Sequence, residues 1–263
     1  MIKLAVFDVD GTLLAKGWQS FSKKTLFMLE TLRSNGIKLA IASGRPPFFV
    51  KGCLDTEFVF DYYICVNGAY VVDRDFNEIN RKEISLVDVE NLIADFVKYD
   101  DAMMFQFDDA AYCYNGNKRI THMLEHWIGR LNVLVDHRSF RNRHVKNLPL
   151  GVVCNIDPDH IAYYQKQYPH LAFDAFSENF YDIHIKDHSK ADGIQMIANV
   201  CKMGMDEIIA FGDNYNDIQM LQAVGIGVAM GNAMEEVKAI ADYISKNVEE
   251  DGAYYACQYF QLL

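Results

Sequence analysis

Short apolar runs alternate with helix-like segments over the first part of the chain. Leu4–Phe7 is uniformly apolar, and two further apolar runs follow at residues 37–42, which contain one lysine, and at residues 62–66. Between the first two runs, leucines spaced for one helix face lead up to Asn35-Gly36, which is typical of a helix C-cap. Apolar strands that alternate with helices are typical of parallel βαβ units, in which both faces of the sheet are covered.

Residues 81–186 follow a different pattern. Ser85 and Asp88 resemble an N-terminal capping box, so the apolar positions after them predict a helix. Asp157-Pro158 predicts the first residues of another helix. The other elements predicted in this block are a helix over 120–128 and strands over 103–107, 112–114, 150–156, 171–176 and 180–185. This block of mixed helices and strands interrupts the parallel pattern.

The alternating pattern returns at Ser189. Ser189 and Asp192 fit a second capping box, which places Lys190 in the first turn of a helix. Strands over 207–211 and 225–229 and helices over 216–223 and 235–241 follow. We therefore predict an α/β fold class: a Rossmann-like, doubly wound parallel sheet in a core of residues 1–80 and 187–263, with an inserted α+β domain over 81–186.

Composition and charge exclude some classes of function. No run of 18 apolar residues and no signal-peptide pattern is present, so we expect a cytoplasmic protein without a membrane span. The formal net charge of −11 opposes binding to nucleic acid and to anionic membranes, and neither is expected as a partner. The six cysteines form no C-x-x-C pair, which indicates reduced thiols. Five basic residues close together in the sequence are expected to form a solvated face or loop: Arg138, Arg141, Arg143, His144 and Lys146.

Two aspartates stand at the end of the first predicted strand, in the segment Asp8-Val9-Asp10-Gly11-Thr12-Leu13. A carboxylate at this position can attack phosphorus and form an aspartyl-phosphate. A second carboxylate two residues later can protonate the leaving alcohol and then activate water. An Asp-Gly pair at a strand end is also a common turn, so this motif alone leaves both interpretations open.

A second acidic segment, Gly212-Asp213-Asn214-Tyr215-Asn216-Asp217, also follows a predicted strand. Mg²⁺ binds a few carboxylate oxygens and keeps several waters, so Asp213 is a candidate partner for Asp8 in a metal site. Asn216 and Asp217 are candidates to position phosphate and the metal's waters. A calcium loop is excluded by spacing: with Asp213 counted as the first position, the sixth is not glycine and the twelfth is not glutamate.

Two weaker candidates complete a phosphate site. Ser43 offers a hydroxyl at the end of the second predicted strand, and the Gly44 N–H is unobstructed by a side chain. Lys190 offers a positive charge at a helix N-terminus, where anions are already favoured. Taken singly, a serine of this kind is usually a turn residue and a lysine is usually solvated. Ser43 and Lys190 are candidates for phosphate binding because of their order along the chain and their positions at a strand end and a helix start.

Together these segments resemble the four motifs of the haloacid-dehalogenase-like superfamily, and within it the Cof-type (subclass IIB capped) sugar-phosphate phosphatases. The motifs occur in family order: residues 8–13, Ser43-Gly44-Arg45, Lys190 and residues 212–217. Three shorter segments also resemble recurrent ones: Asn67-Gly68-Ala69, Gly231-Asn232-Ala233 and Glu250-Asp251-Gly252. The resemblance covers the whole parallel domain.

The resemblance implies a phosphatase in which Asp8 is the nucleophile and Asp10 the general acid and base. It implies Mg²⁺ held by Asp8, Asp213 and the backbone carbonyl of Asp10, with Asp217 in support. Ser43, Gly44, Lys190 and Asn216 would surround the phosphate, and Arg45 would contact the substrate. Residues 81–186 would be a type C2B cap that closes over the substrate and selects it. One departure is Ser189, because family members usually carry a glycine before the lysine.

Three functions stay open on the sequence. The first is hydrolysis of small phosphorylated metabolites, sugar phosphates above all. The second is phosphotransfer as in phosphohexomutases, for which Arg138, Arg141 and Arg143 would supply the basic cap residues that a bisphosphorylated intermediate needs. The third is a non-enzymatic phosphate sensor, which the retention of every motif residue disfavours. The substrate and the oligomeric state are not predicted.

Overall fold

The computed structural model describes residues 1–15, 20–53, 58–128 and 142–263, without the side chains of 51–53 and 126–128. Contacts between residues divide the chain into two compact units. The first consists of Met1–Ser43, Leu54–Asn80 and Ser189–Leu263, and the second of Gly44–Cys53 and Arg81–His188. The domain boundaries at 80/81 and 186/187 stay a prediction. Residues 44–53, which we expected in the parallel core, have their contacts in the second unit.

The first unit is built on an eight-stranded sheet in the order β13-β12-β11-β1-β2-β3-β4-β5. The six strands from β13 to β3 pair in parallel, and β4 pairs antiparallel to β3. The central strands β1, β2 and β11 are almost wholly buried, as parallel strands between two layers of helices are. The strands are β1 Leu4–Phe7, β2 Lys38–Ala42, β3 Tyr62–Cys65, β4 Tyr70–Asp73, β5 Glu78–Arg81, β11 Ile208–Gly212, β12 Ile226–Ala229 and β13 Tyr243–Ile244.

Side-chain caps fix the starts of the longer helices in this unit. Ser22 accepts a hydrogen bond from the Thr25 N–H at the start of α1. Ser189 and Asp192 form the predicted capping box, so Lys190 is the first residue of α6. The helices of the unit are α1 Lys23–Ser34, α6 Lys190–Cys201, α7 Ile218–Ala223, α8 Glu235–Ile240 and α9 Gly252–Tyr259.

The second unit has an antiparallel sheet in the order β7-β6-β8-β10-β9. Its strands are β6 Ala102–Gln106, β7 Ala111–Asn115, β8 Gly151–Asn155, β9 Leu171–Ser177 and β10 Phe180–Ile185. Its helices are α2 Pro47–Cys53, α3 Leu86–Lys98, α4 Asn117–Ile128 and α5 Ile161–Gln167.

Alternate residues of β6 point to opposite faces of the sheet and belong to two different clusters of buried apolar side chains. Met103 and Phe105 pack with α3 and α5, whereas Ala102 and Met104 pack with α4 and with Phe49 of α2. The contact with Phe49 explains why residues 44–53 group with this unit.

The predicted fold class is confirmed: the chain is α/β, with a parallel sheet and a block of mixed helices and strands inserted between its two halves. The predicted helix start at Asp157-Pro158 is wrong, because α5 begins at Ile161. The Asp157 side chain accepts from the Asp159 N–H in a turn, and its own N–H donates to the buried Asp101.

The expected solvated basic face is also wrong where the structure describes it. Arg143 and His144 are buried. The Arg143 guanidinium lies 4.7 Å from the centre of the Phe107 ring and donates to Asp109, and His144 bonds to the Tyr114 hydroxyl. Lys146 is exposed, and Arg138 and Arg141 lie outside the described residues.

Two expectations about the whole chain have partial answers. The five cysteines whose side chains are described are all free thiols. In the part of the chain that the structure covers, no helix has the length and apolar character needed to cross a membrane.

A buried carboxylate ties β6 to α5 and generates the first prediction. Asp101 is 1% exposed and accepts from the Asp157 N–H at 2.8 Å, the Tyr164 hydroxyl at 2.9 Å and His160 Nδ1 at 3.0 Å. Asp101→Asn places an amide donor against these donors and should lower the free energy of unfolding by about 2 kcal/mol, measured by urea denaturation. Asp100→Asn, at the exposed neighbouring position, is the control and should change little. Equal stability of the two variants would contradict this account.

A second prediction concerns pH and His184, which is 4% exposed and bonds Asp174 at 2.8 Å. Burial opposes the charged imidazolium, but the hydrogen bond and charge of Asp174 outweigh it, so the pKa of His184 is raised. A raised folded-state pKa stabilises the fold at low pH, and this contribution is lost as pH rises through that pKa. The unfolding free energy of His184→Gln should therefore depend less on pH between about 6 and 8 than that of the wild type or of the exposed control His122→Gln. Parallel profiles for all three proteins would refute the assignment.

Candidate active site

The candidate residues of the first unit follow neighbouring strands at one edge of the sheet. Asp8 follows β1, Ser43 follows β2, and Asp213 follows β11. Because β11, β1 and β2 are parallel neighbours, their carboxyl ends meet at the same edge, where ligands bind in sheets of this type. Lys190 reaches this edge from the first turn of α6.

Lys190 holds two aspartates together. Its Nζ donates to Asp8 Oδ1 and to Asp217 Oδ1, each at 2.6 Å, and its side chain is fully buried. Burial opposes the charged ammonium, yet the two carboxylates outweigh it and raise the pKa of Lys190. The lysine is therefore a fixed positive charge at the end of β1.

Asp217 uses both of its oxygens within the protein. Oδ1 accepts from Lys190, and Oδ2 accepts from the backbone N–H groups of Asp213 at 2.8 Å and Asn214 at 3.0 Å. Its side chain is 0% exposed. These bonds define Asp217 as the residue that holds Lys190 and the loop after β11 in place.

The Asp213 carboxylate lies against the loop after β1. Oδ1 accepts from the Thr12 hydroxyl at 2.8 Å. A Cβ at Gly11 would lie 2.3 Å from Oδ2 of Asp213, and Gly11 has a φ of +87°, so any larger residue there would clash and be strained. Burial, together with the negative charge of Asp217, raises the pKa of Asp213 to about 7.

Asp8 is more deeply buried than Asp10, the other candidate for catalysis. Its residue is 6% exposed, and its pKa is raised well above the usual range by burial, against the opposing effect of Lys190. Asp10 is exposed, and its predicted role as general acid and base stays a prediction.

The chemistry of this donor set fits a divalent cation. Asp8, Asp213 and Asp217 each offer an oxygen, and these oxygens lie within 4.8 Å of one another. With all three ionised, three negative charges and the one positive charge of Lys190 leave a net charge of −2 in a buried place, which a divalent cation would neutralise. Because both oxygens of Asp217 are already engaged, Asp8 and Asp213 are the better ligands.

The remaining phosphate candidates divide between the two units. Ser43 is buried, and its N–H donates to the Ile64 carbonyl oxygen at 2.8 Å. Asn216 Nδ2 donates to Asn67 Oδ1 at 3.0 Å. Gly44 and Arg45 have their contacts in the second unit, where the Arg45 guanidinium lies 4.4 Å from the centre of the Phe49 ring. Their predicted roles toward phosphate and substrate stay predictions.

Three residues to which the sequence assigned no role also belong to this site. The Thr12 hydroxyl donates to Asp213, and the Asn67 side chain accepts from Asn216. Asn232 links two loops, because it donates to the Gly11 carbonyl oxygen and accepts from the Val248 N–H, both at 2.8 Å. All three lie in segments that the sequence resemblance singled out. What they bond to could be found only from the structure.

Comparison with known proteins agrees with this architecture. Residues 5–257 match the family model described as haloacid dehalogenase-like hydrolase. The chain is 32% identical over 268 residues to the Bacillus subtilis (strain 168) protein "Putative phosphatase YkrA". The aligned region covers 99% of this chain and 98% of that protein. It is 30% identical over 253 residues to the "HMP-PP phosphatase" of Shigella boydii serotype 4 (strain Sb227), and the aligned region covers 91% of this chain and 92% of that protein.

A solved structure is similar over the full length. BT4131, described as a HAD subclass IIB sugar phosphatase, superposes with a TM-score of 0.85 and 25% identity, covering 99% of this chain and all of that one. These similarities confirm the family that the four motifs indicated and the phosphatase activity that the resemblance implied. This chain belongs to the haloacid dehalogenase-like hydrolases, and it is a phosphatase.

Proposed function

We propose that this phosphatase hydrolyses phosphate monoesters of small metabolites, sugar phosphates foremost, with Mg²⁺ and through an aspartyl-phosphate on Asp8. The observation that supports this most directly is the way Asp8 is held. Lys190 binds one of its oxygens at 2.6 Å, and Asp217 fixes the lysine from the other side. The second oxygen of Asp8 is then oriented for attack on phosphorus.

Each step has a candidate group among the chain's own residues. Asp8 attacks in line and the P–O bond to the leaving alcohol breaks, while Asp10 gives that oxygen a proton. Asp10 then takes a proton from water, whose oxygen attacks phosphorus, releases inorganic phosphate and returns Asp8 as a carboxylate. Ser43, Gly44 and Asn216 are proposed to donate to the phosphate oxygens, and Lys190 offsets their charge. Mg²⁺, held by Asp8, Asp213 and the Asp10 carbonyl, would supply further positive charge to the phosphate.

The substrate class is inferred from relatives. BT4131 is described as a sugar phosphatase and the Shigella protein as an HMP-PP phosphatase, which supports a small phosphorylated substrate here. We propose that residues 81–186, with Arg45, select the leaving group, as the family resemblance implies. The basic residues needed by the mutase alternative lie partly outside the described residues, and Arg143 is already paired with Asp109.

Replacing the nucleophile should abolish turnover. Asp8→Asn removes the attacking carboxylate, so we expect kcat for an aryl phosphate with Mg²⁺ to fall by roughly four orders of magnitude or more. Circular dichroism should show an intact fold. Turnover retained in this variant would sink the mechanism, and isomerised hexose phosphate in place of inorganic phosphate from the wild type would favour phosphotransfer.

Replacing the second aspartate should separate the two half-reactions. An aryl leaving group departs without protonation, so Asp10→Asn should still be phosphorylated on Asp8 but should hydrolyse the adduct slowly. Mass spectrometry after an acid quench should then show one added phosphoryl group on the Asp8 peptide. The same quench of Asp8→Asn should show none. An unmodified Asp10→Asn protein that is also inactive would contradict the assigned role.

The proposed metal ligand has its own test. Asp213→Asn removes one anionic ligand, so the Mg²⁺ concentration for half-maximal activity should rise by about tenfold or more. Glu235→Gln removes one negative charge from a side chain that is 87% exposed and serves as the control. Equal Mg²⁺ requirements in these two variants would remove Asp213 from the metal site.

A further inference from the structure

The turn after β3 combines unusual backbone geometry with contacts to the phosphate candidates. Val66 and Asn67 have φ values of 47° and 51°, and Gly68 follows at 103°. Left-handed geometry is tolerated by asparagine and glycine but is a genuine outlier for a β-branched residue. Such geometry persists only where the surroundings fix it, and it concentrates at functional sites.

Neighbours on two sides fix this turn. The Asn67 N–H donates to the carbonyl oxygen of Ser43 at 3.1 Å, and the Ala69 N–H donates to the carbonyl oxygen of Val66 at 3.0 Å. Gly68 lies so close to the N-cap of α6 that a Cβ would be 2.2 Å from the Ser189 carbonyl oxygen. The turn is therefore held between the end of β2 and the first turn of the helix that carries Lys190.

The consequence of this geometry is the placement of one side chain. Asn67 is 3% exposed, and its Oδ1 accepts from Asn216 Nδ2 at 3.0 Å. The bond joins the turn after β3 to the loop after β11, across 149 residues of sequence. Asn216 directly precedes Asp217, which holds Lys190 and the backbone of Asp213.

We propose that Asn67 is a positioning residue for phosphate binding, which acts by fixing the side-chain amide of Asn216. An amide NH₂ group has two N–H donors. With one N–H directed to Asn67, the plane of the amide and the direction of the second N–H are set. The second N–H is then presented to a phosphate oxygen without a search among rotamers. This inference rests on the proposed role of Asn216 in the phosphatase reaction.

Asn67→Gly isolates the hydrogen bond, because glycine accepts a φ of 51° without strain and lacks only the side chain. We expect kcat/KM for an aryl phosphate with Mg²⁺ to fall about tenfold, and the inhibition constant for inorganic phosphate to rise by a similar factor. Lys202→Gly is the matched control. It also replaces a left-handed residue, with a φ of 53°, but at the exposed C-terminal end of α6, and it should leave both quantities unchanged.

The double variant Asn67→Gly/Asn216→Ala distinguishes positioning from a general loosening of the site. If Asn67 acts through Asn216, the double variant should match Asn216→Ala alone in kcat/KM and in phosphate inhibition. Wild-type kinetics in Asn67→Gly, or losses that multiply in the double variant, would overturn the proposal. If Asn67→Gly simply loosened the turn, the losses caused by the two substitutions would multiply in the double variant. Failure of the proposed function is a separate result, namely turnover that survives in Asp8→Asn.

Discussion

The buried Lys190 ammonium between Asp8 and Asp217 is the interaction on which the rest of the candidate active site depends. A buried charge is costly without partners, and here one lysine serves two carboxylates from different loops. The capping box at Ser189 and Asp192 fixes where α6 begins, so the lysine enters the sheet edge from a defined direction. Without the ammonium, Asp8, Asp213 and Asp217 would repel one another in a place that water barely reaches.

Around this interaction the loops are braced against each other by single hydrogen bonds between distant segments. Thr12 joins the loop after β1 to Asp213, Asn67 joins the turn after β3 to Asn216, and Asn232 joins Gly11 to Val248. Preorganised donors and charges do not have to reorient when charge develops on the phosphate. Because Gly11 has no side chain, the Asp213 carboxylate can lie directly against the loop that follows β1.

The sequence was most informative where one residue type performs one task. Carboxylates at strand ends, a capping box before Lys190 and the alternation of strands and helices predicted the fold class and the residues that meet at the sheet edge. It was least informative where tertiary contacts decide the outcome. Asp157-Pro158 looked like a helix start, but the buried Asp101 takes the Asp157 N–H, and α5 begins at Ile161. Likewise, Asn67-Gly68 matched a recurrent segment, yet only the folded chain shows that its amide faces Asn216.

The position of β1 in the sheet has a further consequence for folding during synthesis. β1 lies between β2 and β11, and Leu4 pairs with Lys38 on one side and with Ile208 on the other. Asp8 therefore leaves the ribosome long before Lys190, Asp213 and Asp217, which lie near it in the folded chain. The inserted unit has its own buried apolar cluster, so its folding would shorten the loop that must close before the two halves of the parallel sheet join. Until β11 pairs with β1, the Asp8 carboxylate lacks the neighbouring Lys190 and Asp217 that set its charge environment in the folded chain.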